Sequence, residues 1–465
     1  MDQSLRWTND EGKTIYAYGG DFNPYDIHDQ NFCDNGLVSP DRKPNPHMYE
    51  VGHYYQNIWT SLADEGKFKV RNEYFFRDLS AFRLEWTLLE NGRKVRSGSL
   101  DNLNVAPQGE ALVQLPLGNI NPDAEVLLNL DYSLKAAEML LEAGTVIASE
   151  QIVLNEPGQR KCLSACAERC APAPVLKTND RNYYIVSGDN FLLEVSRRTG
   201  LICRYEAFGR SLLKDGESIS PSFWRAPTDN DFGAGLQNKY AVWKNPRMRT
   251  ETVEAAMEGD AAVIKASLKM EETGAMLEFT YRVDGSGKVE VSERMISDKS
   301  LKVSNLFRFG MQIPMPYAFE RLEYYGRGPV ENYSDRKGAT PLGIYEQSVT
   351  EQFYPYIRPQ ETGTKTDIRW YRVLDDSGRG LEIVSCVPFS ASALHYRIET
   401  LDDGEEKSQR HSCELEEDDV TNVCVDLVQM GLGCVNSWGA LPRPEYTLPY
   451  QDYEFNFVLR PYRKY

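Results

Sequence analysis

The chain has 465 residues and a formal net charge of −17, from 69 Asp and Glu against 52 Lys and Arg. That balance excludes a nucleic-acid partner, because no basic surface is available to displace counterions from phosphate. No apolar run reaches the ~18–20 residues of a membrane span, the opening MDQSLRWTND lacks the basic and apolar regions of a signal peptide, and nine cysteines of irregular spacing read as reduced thiols in a cytoplasmic protein.

The first twenty residues hold no helix cap and no long periodic segment. GKTIYAYGGDFN reads as a short strand running into a glycine turn, so the chain is expected to begin inside a larger unit. The stretch YGGDFNPYDIHDQNFCDNGLV (18–38) carries Asp21, Asp26, His28, Asp29, Asp34 and Asn35 among glycines and aromatics. Carboxylates and amides beside aromatic rings suit a sugar, whose hydroxyls take directional hydrogen bonds while its apolar face stacks. Oxygen-rich loops also suit hard cations such as Na⁺ or Mg²⁺. The alternative is a set of Asx turns that satisfy their own backbone. Met48, Val51, Tyr54, Tyr55 and Ile58 then recur at helical spacing and predict one helix over 46–62.

From about Lys67 the period changes to two. Phe82, Leu84, Trp86 and Leu88 alternate with polar residues, and the chain turns at Asn91-Gly92, a pair that readily takes the two positive φ angles of a type I′ hairpin turn. ALVQLPL and EVLLNLDYSL continue the pattern, predicting an immunoglobulin-like sandwich that ends near residue 170. Residues 158–180 read as a linker. Cys162, Cys166 and Cys170, spaced by four, could face one way on a helix and hold a metal; with no fourth ligand nearby, where structural zinc wants four, they read as plain thiols.

From about Asn179 to Tyr465 strands dominate again. Leu277, Phe279, Tyr281 and Val283 alternate into Asp284-Gly285-Ser286-Gly287, and Val289 and Val291 return. Without βαβ alternation this implies a large antiparallel sandwich. Three of its loops are rich in chemistry. PSFWRAPTDNDFGAG (221–235) is either a turn held by an Arg225–Asp pair or a lid hinged at its glycines. YYGRGPVENYSDR (324–336) and FYPYIRPQETG (353–363) read as rigid Tyr/Pro corners where sandwich loops pack. In QMGLGCVNSWGA (429–440), Trp438 stands on flexible backbone and reads as a sugar-stacking platform or as a plug on a sheet edge.

In this order, YGGDF, NFCDNGLV with its following DR, VAPQGEALVQLP, FWRAPTDNDFG, GRGPVENYSDR, FYPYIRPQETG and MGLG with its following NSW resemble the large bacterial β-galactosidases of glycoside hydrolase family 2, over nearly the whole chain. The resemblance implies a mainly β protein: residues 1–58 as the C-terminal remnant of a TIM barrel, 59–172 as an immunoglobulin-like sandwich, and 176–463 as a β-supersandwich of the galactose mutarotase-like kind. It implies hydrolysis of terminal β-D-galactose by a retaining double displacement, with both catalytic glutamates on earlier barrel strands and therefore none among these residues.

Residue by residue, Phe32 (backbone carbonyl) and Asn35 (side chain) match a sodium site whose aspartate ligand lies upstream. His28 falls where the family often has an Asn at a magnesium site, in a loop here one residue longer. Gly233 matches the hinge glycine of the loop that closes over substrate. Trp438 matches the aglycone platform, although CVN stands before it where acidic residues are usual. Mg²⁺ and Na⁺ are the implied cofactors, and a galactoside, the missing catalytic part and further copies of the chain the implied partners. The chain alone is expected to be inactive. A small subunit of a split enzyme, or a non-catalytic galactoside-binding module, are the alternatives.

Overall fold

The structure is a computed structural model, and it describes residues 2–64, 66–156, 171–433, 435–436 and 439–464. Cys162, Cys166, Cys170 and Trp438 lie outside the described residues. The chain forms two compact units, one made of Met1–Lys43, Lys161–Lys337 and Tyr345–Tyr465, the other of Pro44–Arg160 and Gly338–Ile344. The described fold is mainly β, as the alternating patterns predict, and its sheets are built from antiparallel ladders such as Ala261–Met270 with Met276–Val283 and Phe82–Glu90 with Val126–Leu134.

In the unit containing Pro44–Arg160, a three-stranded sheet (Ile58–Asp64, Lys67–Asn72, Glu110–Gln114) and a four-stranded sheet (Arg93–Leu100, Phe82–Glu90, Val126–Leu134, Val146–Asn155) supply a common core. Ile58, Phe68 and Val70 from one sheet join Phe82, Leu84, Trp86, Leu128 and Leu130 from the other. Each strand points alternate side chains inward because the period of a strand is two. Thr60 and Tyr132 share a buried hydrogen bond of 2.6 Å across the sheets. The predicted hairpin is present: Asn91 has φ 48° and Gly92 φ 78°, and Glu90 pairs with Arg93 across the turn. Gly98 lies opposite Trp86, where an added Cβ would come within 2.7 Å of the indole.

The helix predicted over 46–62 is shorter. It runs Pro46–Tyr54 with proline in its first turn, and Ile58–Asp64 is a strand. Ile58, Trp59 and Thr60 are β-branched or aromatic and prefer the pleated surface. Ile58 is fully buried in the sandwich core, so sheet packing overrides the helical spacing of the apolar residues.

The other unit is dominated by a twelve-stranded sheet. Its main path runs Ser220–Ser222, Arg308–Met315, Thr421–Gln429, Arg379–Leu394, Tyr453–Arg463, Val289–Ile296, Met276–Val283, Ala261–Met270 and Met248–Glu258. Lys365–Leu374 branches from Arg379–Leu394. A five-stranded sheet spanning Val175–Ser211 contributes Val186, Leu193, Val195 and Tyr205 to the same core. Leu277, Phe279, Tyr281 and Val283 are all buried, with half-buried residues between them. Loops leaving these strands carry the chemistry.

Candidate functional site

The stretch 221–235 is built around a buried arginine. Arg225 is fully buried and grips Asp231 with two bonds, Nε to Oδ2 at 3.0 Å and Nη2 to Oδ1 at 2.8 Å. This fork geometry suits a carboxylate. The same guanidinium donates to the carbonyls of Met430 (2.7 Å) and Gly431 (3.2 Å). Asp231 also completes a capping box with Thr228, which starts the helix Asp229–Ala234; such reciprocal bonds satisfy the orphan amides of a first turn. Gly233 lies inside this helix, and the left-handed position is Gly235, at φ 68°. The turn held by an Arg225–Asp pair is therefore present, with Asp231 as the partner.

Asp229 at the helix start collects partners from far along the chain. Lys407 Nζ lies 2.6 Å and Arg358 Nη1 3.0 Å from Oδ1, and Asn31 Nδ2 donates to Oδ2 at 2.9 Å. Burial pushes the Asp229 carboxyl up, but the Lys407 and Arg358 cations outweigh it and hold the group below the usual carboxylate range. The Arg358 guanidinium and the Lys407 ammonium also lie 5.6 and 5.9 Å from the Phe232 ring centre, within cation–π range.

Asp229, Asn31, Phe232 and Lys407 border an open cleft of about 710 Å³. His28, Phe32 and Asn35 line it from one loop, Asp229, Phe232 and Gly233 from the helix, and Glu405, Glu406 and Lys407 from a third segment. Four of the five site residues singled out in the sequence thus meet in one place. The fifth, Trp438, lies outside the described residues; a Cβ on its neighbour Gly439 would stand 3.5 Å from the Gly233 carbonyl oxygen. Sequence reasoning missed Asn31, Phe232 and the 405–407 segment. Glu405-Glu406-Lys407 has the composition of a solvated loop, and its contact with Asp229 spans 178 residues, so no local pattern marks it.

Asp21, Asp26 and Asp34 of the 18–38 loop are taken up by structural bonds. Asp21 accepts from the Tyr18 amide (2.8 Å) and meets His411 Nε2 at 2.9 Å. Asp26 accepts from Asn23 at 2.6 Å, and Ser4 donates to Asp34 at 2.5 Å. The Tyr18–Asp21 and Asn23–Asp26 bonds are those of turns, while His411 and Ser4 tie the loop to distant segments. His28 Nδ1 accepts the Gln30 amide at 3.2 Å. A ring nitrogen is not the oxygen donor that Mg²⁺ prefers. No cluster of three or more His, Cys, Asp or Glu able to hold a metal occurs among the described residues. Phe32 lies within the Gln30–Asp34 turn and Asn35 follows it; a backbone carbonyl and an amide oxygen are donors of the kind a sodium ion takes.

The paired loops 324–336 and 353–363 form a buried corner. Glu331 accepts from Arg336 (2.5 Å), the Gly363 amide (2.7 Å), Thr362 (3.1 Å) and Tyr356. Arg308 pairs with Glu361 at 3.2 Å nearby. This is the structural reading of those loops.

The chain matches three family models in order: the glycosyl hydrolases family 2 TIM barrel domain over residues 1–60, β-galactosidase domain 4 over 68–155, and the β-galactosidase small chain over 187–459. The chain belongs to the β-galactosidase small chain family. Among curated relatives, a β-galactosidase of Priestia megaterium is 34% identical across 99% of this chain and 44% of its own length. Those of Halalkalibacterium halodurans and Streptococcus thermophilus are each 31% identical, over 98% and 99% of this chain, and again 44% of their own length. The chain therefore spans less than half the length of the curated relatives it matches, in their C-terminal part. No helix among the described residues is long and apolar enough to cross a membrane.

Proposed function

We propose that this chain is the C-terminal portion of a β-galactosidase that hydrolyses terminal non-reducing β-D-galactose residues with retention, and that its cleft forms the rim of the galactoside site. The observation that carries the reading is the convergence of His28–Asn35, Asp229–Gly233 and Glu405–Lys407 on one cleft in a chain whose relatives are named β-galactosidases along its whole length. Gly233 would hinge the rim, and Trp438 would stack on the aglycone. Phe32 and Asn35 would give two of the oxygens around a sodium ion, which supplies fixed positive charge beside substrate hydroxyls. In a retaining mechanism one carboxylic acid protonates the leaving oxygen while a second carboxylate attacks the anomeric carbon. Both glutamates belong to the barrel part, so the role of this chain is to orient substrate and exclude water. Domains at 1–58, 59–172 and 176–463, a cytoplasmic location and a homo-oligomeric assembly complete the proposal; the unpaired Cys33, Cys203, Cys386, Cys413 and Cys424 fit a reducing compartment.

The test is a graft. Placed in the Priestia megaterium relative in exchange for its matching segment, the chain is expected to yield an enzyme that hydrolyses a chromogenic β-galactoside. In that enzyme Asn35→Ala should raise the sodium requirement several-fold. A hybrid that folds and melts cooperatively but hydrolyses nothing overturns the reading.

A further inference from the structure

The sandwich unit turns a set of large apolar side chains outward at one end. Phe75 is 72% exposed, and Phe76, Met139 and Leu140 are essentially wholly exposed. Phe75 and Phe76 stand on the loop between Lys67–Asn72 and Phe82–Glu90, with ring centres 6.3 Å apart. Met139 and Leu140 stand on the loop between Val126–Leu134 and Val146–Asn155. Arg77 joins the two loops by gripping Glu138 with both Nη atoms, Nη1 to Oε2 at 2.9 Å.

These loops are held in place. The buried Asn72 side chain donates to the Arg77 carbonyl at 2.8 Å, and its Oδ1 accepts the Tyr74 amide at 2.9 Å. The Arg77 guanidinium lies 4.2 Å from the Phe82 ring centre, a cation–π contact. Glu138 and Leu141 exchange both backbone bonds, at 2.8 and 2.7 Å. Met139 takes φ 43° in that turn, a left-handed conformation that costs a residue with a side chain about 1–2 kcal/mol. Turns otherwise give such positions to Gly, Asn or Asp. The fold thus fixes apolar side chains outward against a conformational cost.

At about 200 Å² for a large side chain, the four present on the order of 700 Å². Monomeric surfaces rarely leave so much apolar area open, and it approaches the ~800 Å² that each partner gives a stable interface. The Arg77–Glu138 pair cancels its own charge, so the face suits an apolar, uncharged partner surface. The barrel-matching segment, residues 1–60, points to which partner. Trp59 of that segment donates to Glu73 Oε2 at 3.0 Å, and the Glu73 amide donates to the Asn57 carbonyl at 2.8 Å. The apolar loop is therefore fastened to the barrel-matching segment, whose Tyr54 and Tyr55 are themselves exposed. In the curated relatives the matched part is 44% of the length, so more than half of each belongs to other parts. Resting on the reading of the chain as a C-terminal portion, we propose that Phe75, Phe76, Met139 and Leu140 dock the barrel-bearing part of the enzyme through an apolar face of that part.

The experiment compares Met139 oxidation by dilute hydrogen peroxide, read by mass spectrometry, in the purified chain and in the graft hybrid with the Priestia megaterium relative. A short methionine peptide added to both samples sets the reference rate. Met139 is expected to oxidise near the reference rate in the chain and about tenfold more slowly in the hybrid, because oxidation follows exposure. Phe76→Ser with Leu140→Ser in the hybrid should bring the rate back towards that of the chain. Should the whole hybrid not fold, the relative carrying only residues 73–77 and 135–144 of this chain takes its place. Equal Met139 rates in the chain and the folded hybrid overturn the proposal, whether or not the hybrid hydrolyses β-galactosides. Slow oxidation already in the chain, with dimers in sedimentation, overturns it in favour of a second copy. A folded hybrid that protects Met139 but hydrolyses nothing supports the docking and overturns the functional reading alone.

Discussion

Removing the Arg225 guanidinium would strand Asp231, which is 2% exposed, without its ionic partner. Breaking a buried pair from one side leaves an uncompensated charge and typically costs about 3–5 kcal/mol. Arg225→Ala is therefore expected to destabilise the large-sheet unit by that amount in urea unfolding. It should also loosen the 430–431 backbone that the guanidinium holds. Glu293 presents the opposite case. It is fully buried, neither carboxyl oxygen has a hydrogen-bond partner among the described residues, and burial together with the nearby Asp426 charge pushes its pKa well up. Asp426 is itself raised to about 7 by burial, against the Arg308 charge that lowers it. A carboxyl with a raised folded-state pKa carries no penalty below its unfolded value. The penalty then grows as pH climbs towards the folded value, because only the unfolded state ionises freely. Stability of this unit should thus fall between pH 5 and 8. Glu293→Gln should flatten that slope and raise Tm at pH 8 by at least ~2–4 °C, the shift that one kcal/mol gives a domain of this size. A Glu293→Gln melting profile parallel to the native one would contradict this.

At the scale of single elements, the Asn91-Gly92 hairpin was legible because its information is local: two residues fix the turn, and alternation on both sides fixes the faces. Gly92 at φ 78° cannot take a side chain cheaply. Gly92→Ala should cost about 1–2 kcal/mol, read as a lower unfolding midpoint with the hairpin topology intact. The Asp229–Ala234 helix is short and depends on its cap, so Thr228→Ala should cost about 1 kcal/mol, measured the same way. The 46–62 segment shows the limit of local reading. Its apolar residues fit a helical spacing throughout, yet Ile58 leaves the helix because the sandwich core offers it full burial. Periodicity reports which residues want burial but not which partner buries them.

At the scale of the whole chain, alternation made the mainly β class legible, and the ordered loop motifs made the family legible. His28, Phe32, Asn35 and Gly233 were found by resemblance, whereas Lys407 and Phe232 had to be found in space. Asp229 shows what sequence leaves out: two cations and an amide from distant parts of the chain occupy its carboxylate. Asp229 thus shapes the wall of the cleft; a retaining glycosidase needs two acidic groups about 5–5.5 Å apart on a rigid frame, which in the proposed function belong to the barrel part. The most direct measurement is hydrolysis of a chromogenic β-galactoside by the purified chain alone, with Mg²⁺ and Na⁺ present. No turnover above the uncatalysed rate is expected. Turnover that survives repurification and is abolished by Asp229→Asn would contradict this and place the chemistry on this chain.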